Sequence, residues 1–322
     1  MSIDTGTSKG RETMLARALH SRLLISAIVV VVVAAVLPLW ISAYVLGILT
    51  AAYYFGVFAM AWDLLFGFAG EVNFGPTFLI GLGAYTAAII DNQWGLPIIV
   101  CIFAGAIVAL VGGLALAVPA LRLRGPYFGL VTLVAVLVLQ NLIVIFAHWT
   151  GGEIGMTVPD VLSIDATTNY WYSLAFLVVC AILLFGLSRS AIGLILQASG
   201  QDAIEAQALG FNVTKHKVAA FCVSAVFSGV AGAMLVFYEG AASVDTVIDI
   251  SIDVQVIIAA VLGGRRTILG SVIGAVFLIV ATELLRPLGQ LNTFCVAAIA
   301  LAVILFFPDG LLGHALRTGE RE

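Results

Sequence analysis

Charge is what this 322-residue chain has least of. Only 10% of its residues are Asp, Glu, Lys or Arg, 62% are apolar, and the mean hydropathy is +1.16. A water-soluble domain could not cover its surface with so few charges. Composition therefore excludes that class and predicts an all-α, polytopic membrane protein. Cysteine is also rare. Cys101, Cys180, Cys222 and Cys295 all fall inside apolar runs without CxxC or ligand spacing. They read as small core residues, and neither a disulfide nor a metal site is expected. Enzymatic motifs are missing as well. Lys9, Lys215 and Lys217 lack the glycine frame of a phosphate-binding loop, and no GxSxG or HExxH occurs. His20, His148, His216 and His314 are scattered near predicted membrane borders. The chain itself is expected to hydrolyse no nucleotide and to need no cofactor, and no feature points to nucleic acid.

Apolar runs of about 17–25 residues mark membrane spans. Ten are predicted: 23–40, 44–65, 74–90, 97–118, 127–147, 170–187, 218–238, 252–264, 267–285 and 290–307. The eighth is too short to cross as a straight helix and is expected to be broken or re-entrant. The polar, basic stretch 1–22 before the first run resembles a signal peptide's charged region. The run is longer than such a peptide needs, so an uncleaved first helix is favoured.

The distribution of the few cations supports the count. With the N-terminus inside, segments 1–22, 66–73, 119–126, 188–217, 265–266 and 308–322 hold thirteen of the fourteen Lys and Arg residues. Only Arg286 falls outside. The long outer loops 148–169 and 239–251 contain no Lys or Arg, yet carry Glu153, Asp160, Asp165, Glu239, Asp245 and Asp249. This positive-inside pattern predicts two cytoplasmic tails, 1–22 and 308–322, around a permease-like body spanning 23–307. Five spans before an outer loop and five after it imply two inverted halves, an arrangement common among transporters. The two halves show no convincing sequence match, so this expectation is topological.

The longest water-compatible stretch on the basic side is Ser188 to Lys217. It reads as an amphipathic helix in two pieces, broken at Ser199-Gly200. Ile192, Ile195 and Leu196 lie on one face, and Ile204, Ala208 and Leu209 on another. Gly210 stops it. Such a segment either docks into another protein's groove or lies flat on the bilayer. Glycine-rich breaks interrupt the spans elsewhere. Between spans two and three, Gly67 to Pro76 holds three glycines, a proline, Glu71 and Asn73, followed by Gly81, Gly83 and Tyr85. This is either a broken helix near a transport pathway or a tight turn between close-packed helices. Gly151, Gly152 and Glu153 open the larger outer loop, where glycine density suggests either a rigid turn offered to a partner or a plain connection. Arg265 and Arg266 follow a second glycine break and are expected to cap helix ends or meet lipid headgroups. Ionisable residues inside spans are few: Asp63 and Asp253, both expected to reach water, and Glu283, one turn from Arg286 and expected to pair with it. No stacked series of carboxylates suggests ion coupling.

Several of these segments, in order, resemble the permease subunit of branched-chain amino acid ABC importers, the LivM type. The likeness covers about residues 55–313. It is carried by Asp63 to Gly70, Phe74 to Phe78 and Gly81 to Ala88, then by Leu121 to Phe128 and Thr150 to Gly155. It continues through Ala206 to Val213, Gly229, Ala231 to Ala233, Leu262 to Gly264, Gly270 and Pro308 to Gly313. The resemblance implies a pore of two permeases, usually a heterodimer, in a bacterial or archaeal inner membrane. Two cytoplasmic ATPases would bind the ATP and Mg, and a periplasmic or lipid-anchored protein would deliver substrate. Asp202, Ile204, Glu205, Leu209 and Gly210 would then meet the ATPase. Gly70, Asn73, Gly75, Gly81 and Tyr85 would border the translocation pathway, and Gly151, Gly152 and Glu153 would lie where the binding protein docks. The sequence departs from the family in two places. Ser199, Gly200, Ala203 and Gln207 stand where Arg and Glu are usual, and Asn73 to Pro76 replaces a Ser-Leu-Gly-His run. The second departure leaves urea, short amides and aromatic acids open as substrates beside branched-chain amino acids. An ion-coupled carrier acting alone is the other transport class, and a non-transporting scaffold the third.

Overall fold

The computed structural model describes residues 29–123, 125–289, 291–306 and 310. The tails 1–22 and 308–322 lie outside the described residues except for Gly310. Helix α1 (Val29–Leu39) leads into α2 (Ala43–Phe68), whose last turn, Leu64–Phe68, widens into a π-helix. An extended stretch then reaches α3 (Pro76–Trp94), started by proline in its first turn and stopped by Gly95 at φ 56°. The chain continues through α4 (Ile98–Ala120), α5 (Pro126–Ile145), the single turn α6 (Ala147–Thr150) and strand β1 (Met156–Thr157). Then come α7 (Ala166–Arg189), α8 (Ala191–Gln201), α9 (Ala203–Ala208) and α10 (Val213–Glu239). Strand β2 (Ala241–Ala242), the short α11 (Val244–Val247), α12 (Ile250–Gly263), α13 (Ile268–Leu284) and α14 (Leu291–Phe306) complete it.

A helix stands on each of the ten predicted apolar runs, and the fold is all-α apart from the two-residue strands. Among the described residues, six helices are long and apolar enough to cross a membrane when α11 and α12 are taken together. The basic residues gather at one end. The C-termini of α4, α7 and α12 and the N-terminus of α10 meet there, with Arg122, Arg189, Lys215, Lys217, Arg265 and Arg266.

The helix packing repeats itself. Helix α10 packs on α3 and α4, as α2 packs on α12 and α13. Helix α3 lies along α4, as α12 lies along α13, and α5 and α14 each touch the corresponding pair. The two halves are thus inverted copies that exchange their long helices, and α2 and α10 touch between them. These two are accordingly the most deeply buried spans. In lipid there is little hydrophobic drive between helices, so close approach depends on small residues. At the crossing of α3, α4 and α10, a Cβ on Gly83 would run into the backbone of Gly229, and one on Gly105 into that of Gly83. In the other half, Gly263 faces Gly270, and Gly274 faces the Ala259 carbonyl.

Candidate functional site

The basic end carries the first element of interest. Ser190 caps α8 and Asp202 caps α9, its Oδ1 accepting from the Ile204 and Glu205 amides at 2.8 and 3.0 Å. The break in the amphipathic segment therefore falls at Asp202, not at Ser199-Gly200. Gly200 continues the last turn of α8, because Asp202 offers the next amides an acceptor that a helix start requires. The inward face of α8 is Gly193, Leu196 and Ser199, so Ile192 turns outward, contrary to expectation. Ala206 anchors α9, and Gly210 at φ 90° ends the turn. Asp202, Ile204, Glu205, Leu209 and Gly210 all remain exposed, Ile204 and Leu209 at 76% and 75%. Two large apolar side chains beside a carboxylate and a cap form a small uncovered surface.

This segment is tied to the first helix break. Gly70, at φ 73°, touches Gly200 so closely that a Cβ on either would strike the other's backbone region. Lys217 at the start of α10 pairs with Glu71 at 2.6 Å, both largely buried. Beyond Glu71 the chain turns back into the bundle. The Trp62 indole donates to the Asn73 carbonyl at 2.6 Å, and the Phe74 amide donates to Thr132 Oγ1 at 3.0 Å. Thr132 is six residues into α5, about 9 Å from its start at 1.5 Å per residue. The break is thus a re-entrant extended segment with backbone groups satisfied by side chains, and α3 begins inside the bundle.

The second half mirrors it. After α10 the chain dips inward through α11, and α12 has 14 residues, about 21 Å against a ~30 Å hydrocarbon core. This is the short eighth span, and α12 is a half-helix. The Gln140 amide donates to the Ile248 carbonyl at 2.9 Å, and Asp249 caps α12 through the Ser251 amide. The two broken helices then meet end to end: the Thr77 amide in the first turn of α3 donates to Asp253 Oδ1 in the first turn of α12 at 2.7 Å.

Asp253 is therefore buried and does not reach water as expected, and neither does Asp63. Asp63 accepts from the Arg266 amide at 3.1 Å, while Arg266 Nε donates to the Gly67 carbonyl in the π turn at 3.0 Å. Arg266 takes φ 64° to do so, and Arg265 stacks over Phe66. The helix-capping expectation is met for Arg266, while Arg265 packs on an aromatic ring instead. The expected Glu283–Arg286 pair forms, at 2.9 Å, with the Tyr44 hydroxyl joining it.

The predicted pathway residues occupy three settings. Gly70 faces α8. Asn73 accepts from the Gly75 amide at 2.9 Å, and a Cβ on Gly75 would meet the Thr132 carbonyl, so both shape the re-entrant turn. Gly81 faces Ile248 and Leu139, and Tyr85 lies one turn further along with its hydroxyl buried and unpartnered. At the end away from the basic residues, Gly151, Gly152 and Gly155 all take positive φ, and β1 pairs antiparallel with β2, Met156 opposite Ala242. Asn92 and Asp91 at the end of α3 bond the backbone at Thr157 and Asp160. The loop is a rigid turn, and Glu153 and the neighbouring Ile154 project from it. Asp165 caps α7, and the Thr168 hydroxyl and amide donating to it hold its carboxyl below the usual range.

Thr77 and Thr132 stand out from sequence only in or near the segments that carry the family resemblance, with no role attached, and Gln140 and the pairings of Asp63 and Asp253 do not stand out at all. The one local signal was Pro76-Thr77 opening a helix and Asp253 in a first turn; their meeting depends on long-range packing.

Two inverted halves, half-helices ending inside the bundle and a docking-sized helix at the basic end define a multi-pass transport permease. The chain belongs to the family described as the branched-chain amino acid transport system, permease component, whose pattern matches residues 44–308. The high-affinity branched-chain amino acid transport system permease protein LivM of Salmonella typhimurium is 27% identical over 87% of this chain and 73% of that protein. LivM of Escherichia coli is 25% identical over 88% and 74%. LivH of Salmonella typhimurium, the permease protein of the same system by name, is 25% identical over 81% and 91%. No solved structure matches the chain.

Proposed function

We propose that this chain is one of two permease subunits of an ATP-driven importer of branched-chain amino acids. Its pore partner is a second permease related to it, as LivM and LivH are related. Two cytoplasmic ATPases bind and hydrolyse ATP with Mg, while this chain carries no cofactor, and an external binding protein delivers the solute. The body, 23–307, spans the membrane with both tails, 1–22 and 308–322, in the cytoplasm. Segment 188–217 is the coupling loop and 148–169 the docking loop.

The observation that carries this reading is α9. Its exposed Ile204 and Leu209 form an apolar surface suited to a partner's groove, and the segment is fastened to the re-entrant break through Gly70–Gly200 and Lys217–Glu71. A push on α9 is delivered to the break that opens α3, a lever suited to switching the pore between two states. The basic end faces the cytoplasm by the positive-inside rule, where the ATPases are.

The test is leucine uptake by the assembled transporter in proteoliposomes carrying Glu205→Arg or Gly210→Arg. Both positions are exposed, so the permease body still inserts and assembles while ATP-driven uptake is lost; Gly210→Arg also strains the φ 90° turn that ends α9, and Glu205→Arg does not. Uptake at the parent rate in both variants would reject the coupling role.

A further inference from the structure

A cleft of ≈ 420 Å³ opens between α5, the outer loop and α11, lined by Gln140, Asn141, Val144, Glu153, Val244 and Asp245. Its volume falls within the ~300–1,000 Å³ typical of small-molecule sites. Its chemistry is one-sided. Gln140 spends one of its two amide hydrogens on the Ile248 carbonyl and Asn141 one of its two on the Leu137 carbonyl, at 2.9 and 2.7 Å, which leaves both side-chain oxygens available as acceptors. Glu153 and Asp245 add two carboxylates, and neither takes part in an ion pair among the described residues. Loops 148–169 and 239–251 hold no Lys or Arg that could neutralise them. On α3, the Tyr85 hydroxyl is buried without a partner among the described residues. Val144 and Val244 provide apolar wall.

We infer that this cleft receives the ammonium group of the permeating amino acid, with the two valines against its branched side chain. An ammonium has three donors and no acceptor, and it needs several oxygens around it. An acceptor-rich cleft with two free carboxylates and no cation supplies them, and those carboxylates would repel the carboxylate end of the solute and direct it away from the wall. The cleft also lies beside Gly81 and Tyr85 on α3, where α11 turns into the bundle toward the Asp253–Thr77 junction. This assignment rests on the amino-acid reading above and deepens it.

The test uses the assembled transporter without nucleotide, carrying Val244→Cys, with the labelling of the parent subtracted. Asn141→Cys serves as a second reporter where Val244→Cys fails to assemble. A cationic methanethiosulfonate reagent is expected to react about tenfold faster than an anionic one, as two nearby carboxylates dictate. Adding Glu153→Gln and Asp245→Asn abolishes that preference, and adding Asp160→Asn, a loop carboxylate outside the cleft, does not. Leucine and isopentylamine slow the reaction several-fold, while 4-methylvalerate, which lacks the ammonium, does not. Equal protection by 4-methylvalerate, protection by none of the three, or a reagent preference unchanged by the double substitution overturns the assignment. Leucine uptake by the parent transporter separately tests the reading beneath it, so the two failures are distinguishable.

Discussion

Asp253→Ala is the substitution whose consequence follows most directly from the structure. The Thr77 amide is one of the four N-terminal donors that α3 cannot satisfy within itself. It is buried in a residue with no solvent exposure, and Asp253 Oδ1 at 2.7 Å is its acceptor. Alanine leaves that amide unpaired where no water replaces the bond, a loss of about 1–3 kcal/mol. Hydrogen bonds between membrane helices have measured near the lower end of that range, ~0.6–2 kcal/mol. A loss of ~1–2 kcal/mol is therefore expected, a factor of about five to thirty in the unfolding equilibrium. Asparagine keeps a carbonyl at the same position, so Asp253→Asn should recover most of the loss. The assay is reversible unfolding of the purified permease in mixed micelles, with helix content followed against SDS mole fraction. An alanine variant as stable as the parent would show that the junction between α3 and α12 contributes nothing. An asparagine variant as unstable as the alanine one would assign the effect to charge and not to the acceptor.

Two further expectations concern other contacts. Gly83→Leu places a side chain against the Gly229 backbone at the crossing of α3, α4 and α10. Overpacking of this kind costs about 1–3 kcal/mol or more, and it should lower the SDS midpoint well beyond Gly186→Leu, a glycine with open space around it; equal effects at both sites would refute the close-packing account. Lys217→Glu or Glu71→Lys alone should reduce uptake by the assembled transporter, because each places two like charges 2.6 Å apart at a largely buried position. The exchange of both should restore uptake, and a double variant no better than the singles would remove the pair from the link between α10 and the break.

The spans were legible because a 20-residue apolar run has few alternatives in a membrane protein. The inverted halves were legible only as topology. Their equivalence lies in which helix packs on which, and Gly83–Gly229 and Gly263–Gly270 use the same physics with unrelated surrounding sequence. The buried carboxylates were misplaced because depth was counted along the chain. Asp63 stands near the end of an apolar run and Asp253 near the start of one, positions that reach water in straight helices. A π turn and a half-helix move both into the interior. The break at Asp202 was missed for a local reason: Ser199-Gly200 is a weaker helix breaker than an aspartate whose carboxylate caps two following amides.

A chain with so little charge retains a set of polar side chains inside its spans, and five of them share one task. Trp62 and Thr132 satisfy the backbone at Asn73 and Phe74, Gln140 that at Ile248, Asp63 that at Arg266, and Asp253 that at Thr77. Each of these backbone groups belongs to a break or to a helix end that a bilayer would otherwise penalise by several kcal/mol. None of these residues forms a stacked series across the bundle. These five side chains thus stabilise the breaks and the two helix starts inside the bundle, and such a start is useful where its free end must move. The two ends touch through a single hydrogen bond, from Thr77 to Asp253. One of them is reached from the basic end through Glu71 and Gly70, the other from the opposite end through α11 and the β1–β2 bridge. A rigid transport body needs such a joint, because its close-packed helices cannot deform continuously.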